Sequence, residues 1–436
     1  MPLTRRRFLV LSAATSTAAS AALPLACGDK DATSHDDTAG DGGSASLPAL
    51  ALSKEPWVQL LGRSTARLRF ETKEARALPV TLGLPDGGEV QATPTLREDQ
   101  LEYVWDFDLE GVTPDLPGLH VLQEVTFTDL VAGQIYTWSI DLGGGQSRAG
   151  SFRAPVAAGS SFRFGWVADT MAPLSEGTAT ALTGAAPDLI LHGGDIVYQT
   201  SPTDTWMDFS LTWATVQALA PFHMTPGNHD FEDLDEVHVM FDRLFLPQGD
   251  GGQNRYHAFS VGHVRFIHLD TESARYDLAD DVADMEAWLQ AELQATADDP
   301  DLRHAVVVMH RPMFTLSKYW VEDPTDRDRW HALFREQGVP LVLCGHVHAY
   351  EHWLVDGVHY VVDGGGGALL YDPVEEREAV EAARPGEAAL QLTAIRSYGV
   401  SVVDVHEDGT MSFQRLAAET AAVEDSFEIS PSASKG

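Results

Sequence analysis

The chain has 436 residues, 44% apolar and 22% charged, which predicts a folded protein of two or three domains and excludes wholesale disorder. Asp and Glu outnumber Lys and Arg by 65 to 29, and a formal charge of −36 excludes nucleic-acid binding through a basic surface. Only Cys27 and Cys344 are present, which excludes a disulfide framework and a cysteine zinc site. Any anionic substrate must be drawn in by something locally cationic, such as metal ions.

Residues 1–27 read as an export signal. Thr4-Arg5-Arg6-Arg7-Phe8-Leu9 has the twin-arginine form, and the uncharged stretch to Ala26 is too rich in Ala, Ser and Thr to suit a permanent span. An uncleaved membrane helix is the competing reading. Leu23-Pro24-Leu25-Ala26-Cys27 resembles a bacterial lipobox, except that Pro24 stands where an aliphatic residue is usual, and this makes Cys27 the expected lipidation site. Residues 28–49, acidic and rich in Gly, Ser and Thr, form a flexible linker. The expected location is the periplasm or cell surface, anchored to a membrane by lipid.

Residues 50–155 show period-two patterning. Ala66, Leu68 and Phe70 alternate with Arg67, Arg69 and Glu71; Tyr103, Trp105, Phe107 and Leu109 repeat the pattern, as do Tyr136, Trp138 and Ile140 after a turn at Asp129 to Gly133. Short half-buried strands of this kind predict an antiparallel sandwich. It contains no cluster of titratable groups, so it reads as a packing or substrate-shaping module.

From residue 160 to 420 the pattern becomes that of a layered α/β domain. Phe162–Ala168, Leu189–Leu191, Val306–Met309 and Leu341–Leu343 are apolar runs suited to strands covered on both faces. Met285, Trp288, Leu289 and Leu293 recur at helical spacing, as do Trp330, Leu333 and Phe334 before a stop at Gly338. Strands around Tyr398–Val405 and Met411–Leu416 flank a turn at Glu407-Asp408-Gly409, and residues 421–436 read as a loose tail.

Titratable residues collect where the buried runs end, the place at which α/β sheets bind ligands. Asp169 follows the first run, Asp195 and Tyr198 the second, and Asn228-His229-Asp230 follow Pro226-Gly227. His310 ends the third run, and His346 and His348 follow Gly345. Each segment alone has a plain structural reading: a Gly-Asp turn, a core histidine at His310, a helix-capping loop at Asn228. Five in order, each after an apolar run, make a site the better account. Two carboxylates, a phenol, an amide and three imidazoles could hold two metal ions. Histidines at i and i+2 splay apart, which suits two neighbouring metals, and Gly345 supplies the freedom to leave the strand. Asp195 is placed to bridge.

These segments look like the five motifs of calcineurin-like metallophosphoesterases, and more narrowly resemble the purple acid phosphatases. Met171 stands where the wider family has a motif histidine, and Tyr198 lies three residues after the second aspartate, as in the purple branch. The Gly364–Gly367 run and His346-Val347-His348-Ala349-Tyr350-Glu351 match as well. The resemblance implies an N-terminal all-β fibronectin-III-like sandwich plus a C-terminal layered α/β/β/α metallophosphoesterase domain. It further implies that Asp169, Asp195, Tyr198 and His348 hold Fe(III), and that Asp195, Asn228, His310 and His346 hold a divalent Fe, Zn or Mn ion. His229 would meet the phosphate or protonate the leaving group, with Asp230 orienting it. Arg311, where plant-like members carry histidine, and His352, where the family tends to arginine, are candidate substrate contacts; a salt bridge is an equal reading of Arg311.

The expected activity is two-metal hydrolysis of small phosphate monoesters by an exported phosphatase. A phosphodiesterase or nucleotidase using Mn or Zn is the alternative within enzymes. A non-catalytic, metal-stabilised surface binding protein is the alternative outside them.

Overall fold

The computed structural model describes residues 48–101, 118–172, 174–198, 205–230, 237–250, 255–273, 279–319 and 324–431. The export segment, Cys27, most of the linker and the alternation at Tyr103 to Leu109 lie outside these residues. No helix among the described residues is long and apolar enough to cross a membrane.

The first described strands are β1 (Leu52–Gly62), β2 (Thr65–Thr72), β3 (Val80–Gly83), β4 (Glu89–Ala92), β5 (Thr95–Leu101), β6 (Gly118–Phe127), β7 (Ile135–Gly143) and β8 (Gln146–Arg153). They form two antiparallel sheets, in the orders β1-β2-β6-β5 and β4-β3-β7-β8. In β7 the expected alternation holds, with Tyr136, Trp138 and Ile140 buried and their neighbours exposed. In β2 it fails. Arg67, Arg69 and Glu71 are as buried as the apolar residues between them, because the second domain covers that face. Arg69 donates to the carbonyls of Leu244 and Leu246 at 2.8 and 2.9 Å, and Arg67 donates to that of Pro247. β1 has both faces covered in the same way, so it lacks the alternation that reveals β7.

The second domain runs β9 (Phe162–Val167), α1 (Glu176–Ala185), β10 (Leu189–His192), α2 (Trp206–Thr212), α3 (Ala214–Leu219), β11 (Phe222–Met224) and α4 (Val237–Phe245). It continues with β12 (His257–Val261), β13 (Val264–His268), α5 (Ala279–Asp298), β14 (His304–Met309), α6 (Pro324–Gln337), β15 (Leu341–Cys344), β16 (Tyr350–Val355) and β17 (Val358–Asp363). It closes with α7 (Arg377–Ala383), β18 (Gln391–Ile395), β19 (Gly399–Val405), β20 (Met411–Ala417) and β21 (Val423–Ile429).

Its strands make two sheets, β11-β10-β9-β19-β20-β21 and β12-β13-β14-β15-β17-β16-β18. Strand parity sorts the apolar residues into layers. Phe164, Trp166, Leu191, Val306, Val308, Leu341 and Leu343 face the space between the sheets. Val167, Ile190, Phe222 and Met224 face outward with Leu182 of α1 and Phe241 of α4. Val307, Met309, Val342 and Cys344 face outward with Leu289 of α5 and Phe334 of α6. The result is the α/β/β/α arrangement. α6 stops at Gly338, whose φ of 68° ends a helix without a Cβ penalty.

Residues 421–431 are not a loose tail. Val423–Ile429 pairs antiparallel with β20, and the Phe427 ring stacks on Phe413 at 4.5 Å. Apolar residues spaced by two supply one more face to the sheet edge, a signal too short to stand out amid polar neighbours.

Between the sheets, beside β1, three buried histidines stack. His257 and His268 have ring centroids 4.3 Å apart, and His223 lies 5.8 Å from His257. His223 Nε2 accepts the Leu60 amide at 2.9 Å, while neither ring nitrogen of His257 has a hydrogen-bond partner among the described residues. Burial pushes all three below the usual histidine range, His257 to about 3. The unfolded chain therefore binds more protons, and stability falls as pH drops below about 6.5, by about 2 kcal/mol per ring at pH 5. His257→Phe is expected to recover about that much at pH 5 and little at pH 8. Equal recovery at both pH values in urea titrations would remove proton linkage as the cause.

Candidate metal centre

Every ligand candidate sits just beyond the carboxyl end of a strand. Asp169, Asp195 and Asn228 follow β9, β10 and β11 of one sheet, while His310 and His346 follow β14 and β15 of the other. The two sheets therefore aim their strand ends at one place. Backbone hydrogen bonds tie the loops together, from Asp169 N to Gly194 O at 3.0 Å and from Gly345 N to His310 O at 2.9 Å.

Asp169, Asp195 and His346 have φ values of 58°, 51° and 69°, left-handed conformations that non-glycine residues adopt at a cost. The expected freedom of Gly345 thus belongs to His346. Gly345 is required for another reason: a Cβ there would lie 2.5 Å from Asp169 Oδ2. A Cβ on Gly227 would collide with Asp195 in the same way.

Two groups of potential ligands result, Asp195 with His310 and His346, and Asp169 with Asp195 and His348; in each, the donor atoms lie within 4.8 Å of one another. Asp195 is common to both. His346 and His348 fall in different groups, as their splayed spacing predicts. Tyr198 OH lies 2.8 Å from His348 Nε2 and donates to Asp169 Oδ1 at 3.2 Å, which puts the phenol in the second group. Asn228 Oδ1 lies 3.1 Å from His310 Nε2 and joins the first.

The imidazoles are oriented from behind. His310 Nδ1 meets the Gly193 carbonyl at 2.7 Å and His348 Nδ1 the Leu369 carbonyl at 2.8 Å, which turns each Nε2 into the site. Burial, with the charge of Asp195 behind it, pushes Asp169 well above its usual range, and burial with the charges of Asp169 and Asp195 does the same to the Tyr198 phenol. Burial alone would also raise Asp195, but His310 and His229 hold it low. For His310 the outcome reverses: burial works against the charged ring, yet Asp195 and Asp169 raise it to about 10. A buried donor set in which ionised Asp195 stands among Asp169, Tyr198 and His310, whose protons cations would displace, fits metal ions.

The remaining predicted residues divide. His229 stands at the site edge with its Nε2 3.9 Å from Asp195 Oδ2, its amide donating to Asp195 Oδ1 at 2.8 Å, and its ring 4.1 Å from that of Tyr198. Asp230 does not orient it. The Asp230 carboxylate accepts the Gly227 and Ile196 amides at 2.8 and 3.2 Å and so fastens two ligand loops together. Arg311 is held as a salt bridge, its Nε and Nη2 donating to buried Glu272 at 2.8 and 2.9 Å, with Nη1 turned toward His346. His352 is no substrate contact. It is buried in β16, bonded to Asp425 at 3.0 Å and stacked on Phe427 at 4.0 Å. Glu272, Tyr319 and Tyr371 also belong to the site, yet no motif reveals them. Tyr319 lies 4.5 Å from the His346 ring and Tyr371 stacks on His348 at 4.1 Å.

Strand-end donors from two facing sheets, split into two groups around a shared aspartate, make a site that could hold two metal ions. The family model for calcineurin-like phosphoesterase matches residues 162–350. A purple acid phosphatase of Arabidopsis thaliana is 29% identical over 174 residues, 38% of this chain and 39% of that protein. A barley (Hordeum vulgare) protein named nucleotide pyrophosphatase/phosphodiesterase is 22% identical over 278 residues, 56% of this chain and 72% of its own. The fold of a purple acid phosphatase from yellow lupin seeds superposes with a TM-score of 0.65 at 17% identity, over 86% of this chain and 74% of that one. The chain thus spans about two fifths of the length of the first curated relatives it matches. Residues 162–350 are similar to calcineurin-like phosphoesterases, and the chain resembles purple acid phosphatases in part of its sequence and in fold.

Proposed function

We propose that the protein is an exported phosphatase that hydrolyses small phosphate monoesters at a two-metal centre. The carrying observation is the pair of donor groups that share Asp195. In this reading Asp169, Asp195, Tyr198 and His348 hold Fe(III), and Asp195, Asn228, His310 and His346 hold a divalent Fe, Zn or Mn ion. The phenolate is a hard anionic donor, which favours the ferric ion. Such ions, when bound, clamp phosphoryl oxygens and lower the pKa of a water. His229, at the open edge beside Asp195, protonates the leaving oxygen. The loop bonds of Asp230 and the carbonyl bonds of His310 and His348 keep these groups in place. The N-terminal sheets act as a fibronectin-III-like module beside the domain.

The test is metal analysis together with phosphomonoester and phosphodiester assays across pH. Tyr198→Phe is expected to abolish a visible phenolate-to-iron absorption band and weaken iron retention, while activity falls less than in an Asp195 variant. A colourless, fully metallated, active wild type would leave the phosphoesterase and remove the ferric assignment. The barley relative's name favours one second reading, a phosphodiesterase with Mn or Zn, and that result would favour it further.

Export rests on the Arg5-Arg6-Arg7 segment and lipidation on Cys27. Cys27→Ser is expected to move the protein from the membrane to the soluble fraction, because a single hydroxyl replaces the acyl anchor. A wild type that is already soluble would remove the lipid anchor.

A further inference from the structure

Lysine is almost absent from this acidic chain: Lys318 is the one lysine between Lys73 and Lys435. It stands over two aromatic rings that pack on candidate metal ligands. Its ammonium lies 3.9 Å from the Tyr371 ring centroid and 4.8 Å from that of Tyr319. Those two rings back onto His348 and His346, one ligand candidate from each donor group. Tyr371 is thus layered between His348 at 4.1 Å and the ammonium at 3.9 Å, so one ring separates the lysine from this ligand candidate. The Tyr319 and Tyr371 hydroxyls are 3.5 Å apart, which joins the two rings into one support.

The segment that presents Lys318 is fixed. Buried Glu351 accepts the Thr315 hydroxyl at 2.6 Å and the Leu316 amide at 3.4 Å, and Ser317 N donates to Thr315 Oγ1 at 3.0 Å. Lys318 itself is exposed and makes no ion pair among the described residues. Arg311, the other cation next to the ligands, differs because Glu272 already neutralises it. Cation–π contact with two phenol rings holds the ammonium without cancelling its charge.

We propose that Lys318, supported by Tyr319 and Tyr371, is a specificity-determining residue that selects substrates with a second anionic group next to the scissile phosphoryl. The substrate class is that of phosphoanhydrides and bis-phosphorylated compounds, with the scissile group at the metals and the second on the ammonium. An exposed cation with no ion pair among the described residues can attract and hold negative charge that the metals do not reach. The proposal rests on the phosphatase reading for where the scissile group sits.

The experiment compares Lys318→Gln and Lys318→Arg with the wild-type holoenzyme, using inorganic pyrophosphate and p-nitrophenyl phosphate as substrates. Lys318→Gln should lower kcat/KM for pyrophosphate about tenfold more than for p-nitrophenyl phosphate, mainly through KM, and Lys318→Arg should restore most of the difference. Equal losses on the two substrates, or a loss that appears in kcat alone, would overturn the proposal. Pyrophosphate and orthophosphate binding are measured by calorimetry in parallel. A wild type that hydrolyses neither substrate, yet binds pyrophosphate more tightly than Lys318→Gln does, would sink the phosphatase reading and leave the anion site standing. Unchanged pyrophosphate binding would do the opposite.

Discussion

Asp195→Asn should lower kcat at least about a thousandfold and leave the protein short of metal, because one neutral amide cannot hold two cations as a carboxylate does. The substitution preserves shape, so the fold should survive. Asn keeps an oxygen for the His229 amide, and loss of a buried charge does not by itself unfold the loop. What it removes is the group common to both donor sets, 3.3 Å from His310 Nε2 and in a left-handed backbone conformation. Metal content by elemental analysis and turnover on a phosphomonoester check it, with circular dichroism as the control for folding. Near-normal turnover at full metal content would show that the two groups do not work as one centre.

Arg243→Met should destabilise the protein by about 3 kcal/mol through the seam between the two domains. Arg243 projects from α4, fully buried, and donates to Asp99 of β5 at 2.6 Å and to Glu71 of β2. Burial would raise the Glu71 carboxyl, but a hydrogen bond from His120 and the charges of Lys54 and Arg243 hold it well below the usual range. With the guanidinium gone, Glu71 keeps His120 and Lys54 but remains a buried anion with less charge opposite it. The loss should therefore fall at the low end of what breaking a buried pair costs. Urea unfolding measures it. A change under about 1 kcal/mol would mean that water reaches the seam. Activity per folded molecule should hold, since Arg243 contacts none of the metal-ligand candidates.

Some of this protein is decided locally. Asp169, Asp195, Asn228, His310 and His346 could be read from the chain because each is set by a short apolar strand and the turn that ends it, both encoded in adjacent residues. The parity of Phe164, Trp166, Val306 and Val308 likewise follows from alternation along single strands. The split of His346 and His348 between two donor groups follows from their spacing.

Other features depend on residues far apart in sequence, and no local pattern carries them. Arg67 and Arg69 read as solvent-facing on an alternating strand, yet they are buried because Leu244 to Pro247 close over them. Arg311 and His352 follow motif residues directly, but Glu272 and Asp425 had already claimed their polar atoms. Asp230 adjoins His229 in sequence and turns instead to the amides of Gly227 and Ile196. Lys318 gains its place only because Tyr371, some fifty residues away, is stacked on a metal-ligand candidate. Adjacent residues settle which side chains could hold metal, since strand ends position them. Tertiary structure decided which charges stay available, because a buried charge must find a partner and that partner can come from anywhere in the chain.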